Sequence, residues 1–444
     1  MSALVESIPT LTTEEATSTE KDKSLCKPEP NVELVNDVLS KYWGIKPIKL
    51  SALESYDDAN YFVRESKDKE YLIKFYNAVE SENYVLLQGY SSILNHINAN
   101  VQSVKVPVPI PLTHVNDETS KRPHYLNGSA PIDICFIDTC PVLGKTKETI
   151  AVRLFEWVKG STLNSWTTSK FLKDEVVDTS SVTFSEYILL LGRLGEAIAD
   201  MRVCLDQGYA AHCMETFGLP SHPAFMNRVF CWDIRQYGLV VPYFQYYNVK
   251  DAAEKELLGI CEDICRCYRD DLLIHETELS FGTIQGDCND ANVVARVSAG
   301  FGAKGSDSVH IAGIIDFGDT IYSYAINEFL ITVAYALLTP VGLQCPEAVL
   351  SAMITAYHKA ILKATGSSFS PAEIRYFRLL IALRLSTSVT IGHYSIIMNP
   401  ENREYLELHA TPARQALKYI WTVKTDADFA ALIASCTGTS TSTN

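Results

Sequence analysis

Asp287 and Asn292 stand five residues apart in the run Gln285-Gly286-Asp287-Cys288-Asn289-Asp290-Ala291-Asn292, which leads into the apolar Val293-Val294-Ala295. Further on, the strand-like run His310-Ile311-Ala312-Gly313-Ile314-Ile315 ends in Asp316-Phe317-Gly318-Asp319, with two carboxylates three residues apart. Phosphoryl transfer uses such a set: one carboxylate to orient the attacking hydroxyl, and an amide oxygen with a second carboxylate to hold Mg²⁺ against the phosphates. Asp287 is the candidate for the first role. Asn292 and Asp316 are the candidate metal ligands, because Mg²⁺ takes hard oxygen donors beside water and phosphate. Either motif alone is a weak signal, as an Asp-Phe-Gly also serves as an ordinary strand exit. Their order, their separation by one expected hairpin and their strand–turn contexts carry the joint reading.

Lys74, in the run Glu70-Tyr71-Leu72-Ile73-Lys74-Phe75-Tyr76, is the candidate cation for nucleotide phosphates. A kinase-like lysine has an acidic partner on the following helix, and that helix offers Glu80, Glu82 or Gln88; the sequence does not choose among them. The turn Ser55-Tyr56-Asp57-Asp58-Ala59-Asn60 takes the place of a phosphate-covering loop without any glycine, and its composition is that of an Asx turn. That turn makes Ser55 and Tyr56 nucleotide-binding candidates, and a base lying against Leu154-Phe155-Glu156-Trp157-Val158 adds Glu156 and Val158. Asp319 either touches metal or substrate or caps its turn. Cys288 reads as a small buried filler, with no histidine near it in sequence to activate it.

Composition sets the background. The 444 residues are 47% hydrophobic and 20% charged, with 38 basic against 53 acidic side chains and a net charge of −15. That balance argues against nucleic acid or an anionic membrane as main partner. The twelve cysteines are scattered and lack paired metal spacing, so reduced thiols in a cytoplasmic protein are expected. None of the ten histidines sits in zinc-like spacing. No stretch is expected to reach the roughly 20 apolar residues of a membrane span. Oligomeric state is not legible.

The elements that must position these residues follow from periodicity. Residues 1–30 and 437–444 are polar and are expected as disordered tails. A helix over 32–42 leads to strands near 48–50, 61–65 and 70–76, a helix over 82–98, and strands near 132–137 and 149–155. Residues 31–158 thus form a small sheet-rich nucleotide-binding lobe. From 159 to 436 helical periodicity dominates, over 184–205, 251–275, 325–338, 344–364, 371–397 and 402–421. Only two short strands, 292–297 and 309–316, are expected to interrupt it. The class is α+β: a small antiparallel-sheet N-lobe followed by a larger, mostly helical C-lobe.

These motifs resemble the aminoglycoside phosphotransferase and choline kinase superfamily, whose bilobal fold is that of the protein kinases. The resemblance runs from about residue 35 to 425. It rests on Ser55 to Asn60, Glu70 to Lys74, Val152-Arg153-Leu154 with Gly160, Gly286-Asp287 with Asn289-Asp290 and Asn292, and Gly313 to Asp319. Tyr324, Glu328, Tyr394-Ser395 and Pro400-Glu401-Asn402 extend it. The Ser-Tyr-Asp-Asp turn and the Pro-Glu-Asn segment point within the superfamily to the hydroxylysine kinase branch. The resemblance implies transfer of the γ-phosphate of GTP, or ATP, with Mg²⁺, to the 5-hydroxyl of hydroxylysine in lysine degradation. It also implies acidic walls for a small amino-alcohol substrate, with Asp319 and Glu328 as candidates; Glu328 equally suits bracing its helix. Kinases of another amino alcohol or sugar amine, and a nucleotide-binding protein without turnover, are the alternatives. Where the superfamily carries His before Gly-Asp, this chain has Gln285, whose amide can donate or accept in the same place.

Overall fold

The structure, a computed structural model, describes residues 26–55, 57–114, 132–142, 145–171, 175–297, 309–398 and 403–438. Tyr56, the Pro400-Glu401-Asn402 segment and most of the two expected tails lie outside the described residues. The chain divides into two compact units, one from Met1–His96 with Pro107–Trp157, the other from Ile97–Val106 with Val158–Asn444.

The first unit is built on strands. Asn31 starts its helix Val32–Val38 by accepting from the backbone N–H of Leu34 through Oδ1 at 2.8 Å, a cap that contributes about 1 kcal/mol. Five strands follow: β1 (Lys49–Leu53), β2 (Ala59–Arg64), β3 (Glu70–Phe75), β4 (Ile134–Val142) and β5 (Lys145–Glu156). They pair antiparallel in the order β1-β2-β3-β5-β4. Side chains alternate across a strand. Val63, Ile73, Phe75, Val152 and Leu154 therefore share one core with Val35, Leu39 and Trp43. Lys74 emerges on the opposite face, in register with Asn60 on one side and Arg153 on the other. Residues 26–30, at the end of the polar N-terminal stretch, join this unit: Cys26 is buried and Glu29 N–H donates to Pro141 O at 2.8 Å.

The second unit is helical. Val182–Val203 packs against Pro346–Thr365, and a Cβ on Gly195 would come within 2.8 Å of Met353 O, so only glycine permits that approach. The 28-residue helix Pro371–Met398 runs largely buried through the unit. It is long and apolar enough to cross a membrane, which corrects the expectation that no stretch is; its apolar side chains line the protein interior instead.

Strands are more numerous here than the sequence suggests. β6 (Ser161–Thr162), β8 (Val293–Val297) and β9 (Val309–Ile314) form one antiparallel sheet, while β7 (Phe281–Ile284) pairs antiparallel with β10 (Ile321–Tyr324). β7 and β10 have four residues each, too few for a period of two to show. They frame the candidate motifs: β7 runs into Gln285, and β10 follows Asp319.

Candidate active site

In the first unit Lys74 Nζ pairs with Asp58 Oδ2 at 2.6 Å and lies 4.9 Å from the ring centre of Tyr76. Asp58 is not one of the three partners the helix offered. It comes from the turn before β2 and is held from behind, with Oδ1 accepting from Asn77 N–H at 2.8 Å. Burial raises its carboxyl, Lys74 opposes that rise, and the neighbouring Glu80 charge adds to it. Gln88 is buried on the helix Tyr84–Asn100; its amide has no charge to offer a lysine.

The same sheet face holds a second cation. Arg153 is wholly buried, its guanidinium bonded to Asp133 Oδ2 at 2.6 Å, Ser91 Oγ at 2.5 Å, and Leu87 O and Tyr76 Oη at 3.3 Å each. Sheet and helix are thereby tied beside Lys74. Ser55 Oγ donates to Asp58 O within the turn, and Lys27 donates to Ser55 O from outside it. At the far end of β5, Glu156 N–H donates to Val108 O at 2.8 Å and Trp157 packs edge-on against Phe62 at 5.0 Å. Val158 belongs to the second unit, where its side chain covers Gly313.

In the second unit the chain leaves β7 and turns at Gly286, whose φ of 84° and closeness to Asp319 O both require glycine: a Cβ would lie 2.6 Å from that oxygen. Asn289 Oδ1 accepts from Ala291 N–H at 2.8 Å and Asn292 N–H at 3.0 Å, which bends the loop toward β8. The Asp287 carboxylate is held at both oxygens. Oδ1 accepts from Arg384 Nη2 at 2.8 Å, and Oδ2 accepts from Nδ2 of Asn289 and of Asn292 at 2.9 Å each. Burial pushes this carboxyl up to about 7; the Asp319 charge adds to the rise, Arg384 opposes it, and Asp316 adds further.

Asn292 and Asp316 are brought together by the β8–β9 hairpin, where Ile315 N–H donates to Asn292 O at 2.8 Å. Because Asn292 Nδ2 is committed to Asp287 O and Oδ2, its Oδ1 is the side-chain oxygen left for a cation. Asp316 has a φ of 54°, the one non-glycine residue among those described in the left-handed region. Gln285 holds it there: Nε2 donates to Asp316 O, while Oε1 accepts from Asp287 N–H at 2.7 Å. An amide oxygen and a carboxylate are hard donors of the kind Mg²⁺ accepts. Among the described residues no three His, Cys, Asp or Glu side chains gather to hold a metal by themselves; phosphate oxygens and water would complete the shell.

Glu328 is 1% exposed, and Oε2 accepts from Gln285 N–H at 2.5 Å. Burial pushes its carboxyl up to about 8. This is a bracing arrangement beneath the loop. Asp319 lies in a loop anchored on both sides by Arg228, whose Nη1 donates to Gly318 O at 2.7 Å and Thr320 O at 3.0 Å. Cys288 is buried, which raises its thiol. All twelve cysteines are free.

Asp58, Arg228 and Arg384 escaped the sequence reading. The first lies in a turn that reading had singled out, yet its pairing needed the β2–β3 register. Arg384 had a readable signal: one arginine inside the apolar run Leu379 to Leu385 of a long helix, a place where charge is rare unless paired.

No family model matches the chain. The hydroxylysine kinase of Xenopus laevis is 23% identical to it over 389 residues, covering 86% of this chain and 88% of that one. Among solved structures, the amicoumacin kinase hAmiN in complex with AMP-PNP, Ca²⁺ and Ami is similar at a TM-score of 0.55 and 12% identity, covering 92% of this chain and 97% of that one. A microcompartment-associated aminopropanol kinase is similar at a TM-score of 0.51 and 14% identity, covering 88% and 98%. With its small antiparallel-sheet lobe and larger helical lobe, the chain has the bilobal α+β kinase-like fold of these two structures.

Proposed function

We propose that this protein is a cytoplasmic small-molecule kinase that transfers the γ-phosphate of GTP or ATP to the hydroxyl of 5-hydroxy-L-lysine. The observation that carries the phosphotransfer reading is the Asp287 carboxylate, fixed at both oxygens by Arg384, Asn289 and Asn292 and 22% open at its side chain. A carboxylate held this way orients an acceptor hydroxyl and takes its proton late. Asn292 Oδ1 and Asp316 are the ligands we assign to Mg²⁺, which when bound neutralises charge building on the phosphate oxygens. Lys74 supplies a point cation for nucleotide phosphate. Ser55 and Tyr56 are assigned to the turn over the phosphates, and Glu156 and Val158 to the segment that meets the base.

The choice of acceptor is supported by similarity to a curated hydroxylysine kinase along most of the chain. Hydroxylysine carries two ammonium groups, and Asp319 is the carboxylate we assign to one of them. Glu328, buried against loop backbone, we assign to support of the catalytic loop.

The test is nucleoside diphosphate release with Mg²⁺, comparing GTP with ATP on hydroxylysine, lysine, choline, ethanolamine and fructosyl-lysine. Turnover on hydroxylysine and none on lysine is expected, since lysine lacks the attacked oxygen. Turnover on choline, ethanolamine or fructosyl-lysine instead moves the assignment to that acceptor. Silence on all, with nucleotide bound, identifies a protein that binds without transferring. Asp287→Ala is expected to abolish turnover and spare nucleotide binding, whereas Asp316→Ala removes the Mg²⁺ dependence of that binding.

A further inference from the structure

We propose that Arg384 is a positioning residue for phosphoryl transfer, fixing the plane of the Asp287 carboxylate from outside the catalytic loop. The inference rests on the kinase reading of this site.

The loop by itself holds only one carboxylate oxygen. Asn289 and Asn292 both donate to Oδ2, so a carboxylate with those partners alone can still pivot about that atom and sweep Oδ1 through an arc. Arg384 closes the arc by donating to Oδ1 at 2.8 Å. Its own position is tightly determined. It is 1% exposed, Nη1 donates to Trp232 O at 3.0 Å, and Nη2 also donates to Tyr335 Oη at 2.8 Å. The guanidinium carbon lies 4.9 Å from the Trp232 ring centre and 5.2 Å from that of Tyr335. A planar fork seated among two rings, a carbonyl and a hydroxyl gives Oδ1 one place to be, and a lysine ammonium on its flexible stem does not reproduce that fork.

An arginine serving packing alone needs any buried acid. This one reaches past the core to a carboxylate that is part open and stands at the end of β7, with the Mg²⁺-type donor Asn292 on its other oxygen. Misplacement of an orienting group by about 1 Å costs about 100-fold in rate, and such a loss belongs to kcat when nucleotide binding is made elsewhere.

The experiment measures kcat, nucleotide KM and melting temperature for the full chain, with Arg384→Lys and Tyr335→Phe beside the wild type. Arg384→Lys is expected to lower kcat about 100-fold with nucleotide KM within about two-fold. Tyr335→Phe removes one hydroxyl that steadies the fork and leaves the core packed; a fall in kcat of about five-fold at unchanged melting temperature is expected. That variant decides the matter if Arg384→Lys does not fold. An active wild type with both foldable variants at full kcat overturns the assignment of Arg384 alone. A wild type silent on every acceptor overturns the kinase reading, and this assignment falls with it.

Discussion

Gln285 spans from Asp287 to Asp316 with a single side chain: its carbonyl oxygen takes the N–H of one residue and its amide nitrogen gives to the carbonyl of the other. The strained left-handed backbone of Asp316 is thus held by the same group that shapes the loop of Asp287. Replacing Gln285 with Ala cuts both ends, and kcat is expected to fall about 10- to 100-fold. Gln285→Glu keeps the acceptor toward Asp287 and loses the donor toward Asp316, so Mg²⁺ affinity should weaken more than the loop geometry does. Steady-state kinetics across an Mg²⁺ titration checks both variants; unchanged curves would refute the coupling.

Lys74→Met is expected to raise nucleotide KM with a smaller effect on stability than a buried pair usually shows. The partner left behind, Asp58, already has its carboxyl raised by burial and would take a proton in place of the lysine. Asp58→Asn tests the converse, a lysine with its position loosened. Nucleotide titration by fluorescence or calorimetry reads both, and an unchanged KM in Lys74→Met would remove that residue from the nucleotide site.

Arg153 and Asp133 form a buried pair with little solvent to screen it. Truncating Arg153 to Met alone should cost about 3–5 kcal/mol, because an uncompensated carboxylate remains near the core. The double change Arg153→Met with Asp133→Leu should recover most of that loss. Chemical denaturation of the single and double variants measures the coupling, and equal losses in both would argue that Ser91, Leu87 and Tyr76 dominate the contact.

Glu328 makes stability depend on pH in a stated direction. Its carboxyl is raised in the fold from 4.5 to about 8 by burial. A carboxyl raised on folding stabilises most when both states are protonated, so its contribution is fully present below pH 4.5 and is lost as pH rises through about 8. A tenfold difference in proton affinity between the folded and unfolded carboxyl is worth about 1.4 kcal/mol. Glu328→Gln keeps an oxygen for the Gln285 N–H and removes the titration. The variant should therefore flatten the decline in melting temperature between pH 5 and 8 on the order of a few degrees. A slope identical to wild type would refute this source.

Much of this is legible in the sequence. Strands with alternating burial, such as β3, announce themselves because every second residue must enter the core. Asn292 and Asp316 flank the two strands of one hairpin, so pairing of β8 with β9 brings them together. What stayed hidden depends on distance along the chain or on register. Arg384 reaches Asp287 across 97 residues, and no local pattern names its partner. Asp58 pairs with Lys74, a partner outside the helix that offers Glu80, Glu82 or Gln88, because two short strands align Asn60 with Lys74; a shift of one residue would have turned the lysine into the core. The buried helix Pro371–Met398 concealed its role for a related reason: Ser, Thr and His positions scattered through it blur its apolarity.

The Lys74–Asp58 pair has a further consequence. In kinases whose lysine is matched by an acid on a mobile helix, moving that helix breaks the pair and switches the enzyme off. Here the acid belongs to the turn that opens the neighbouring strand, pinned by the backbone of Asn77. The acid is thus bonded to Asn77, the residue that caps the helix Ala78–Glu82, while the lysine stands on the sheet. Any movement of that helix would reach the pair through Asn77, so the setting of this lysine is tied to the start of the helix as well as to the sheet.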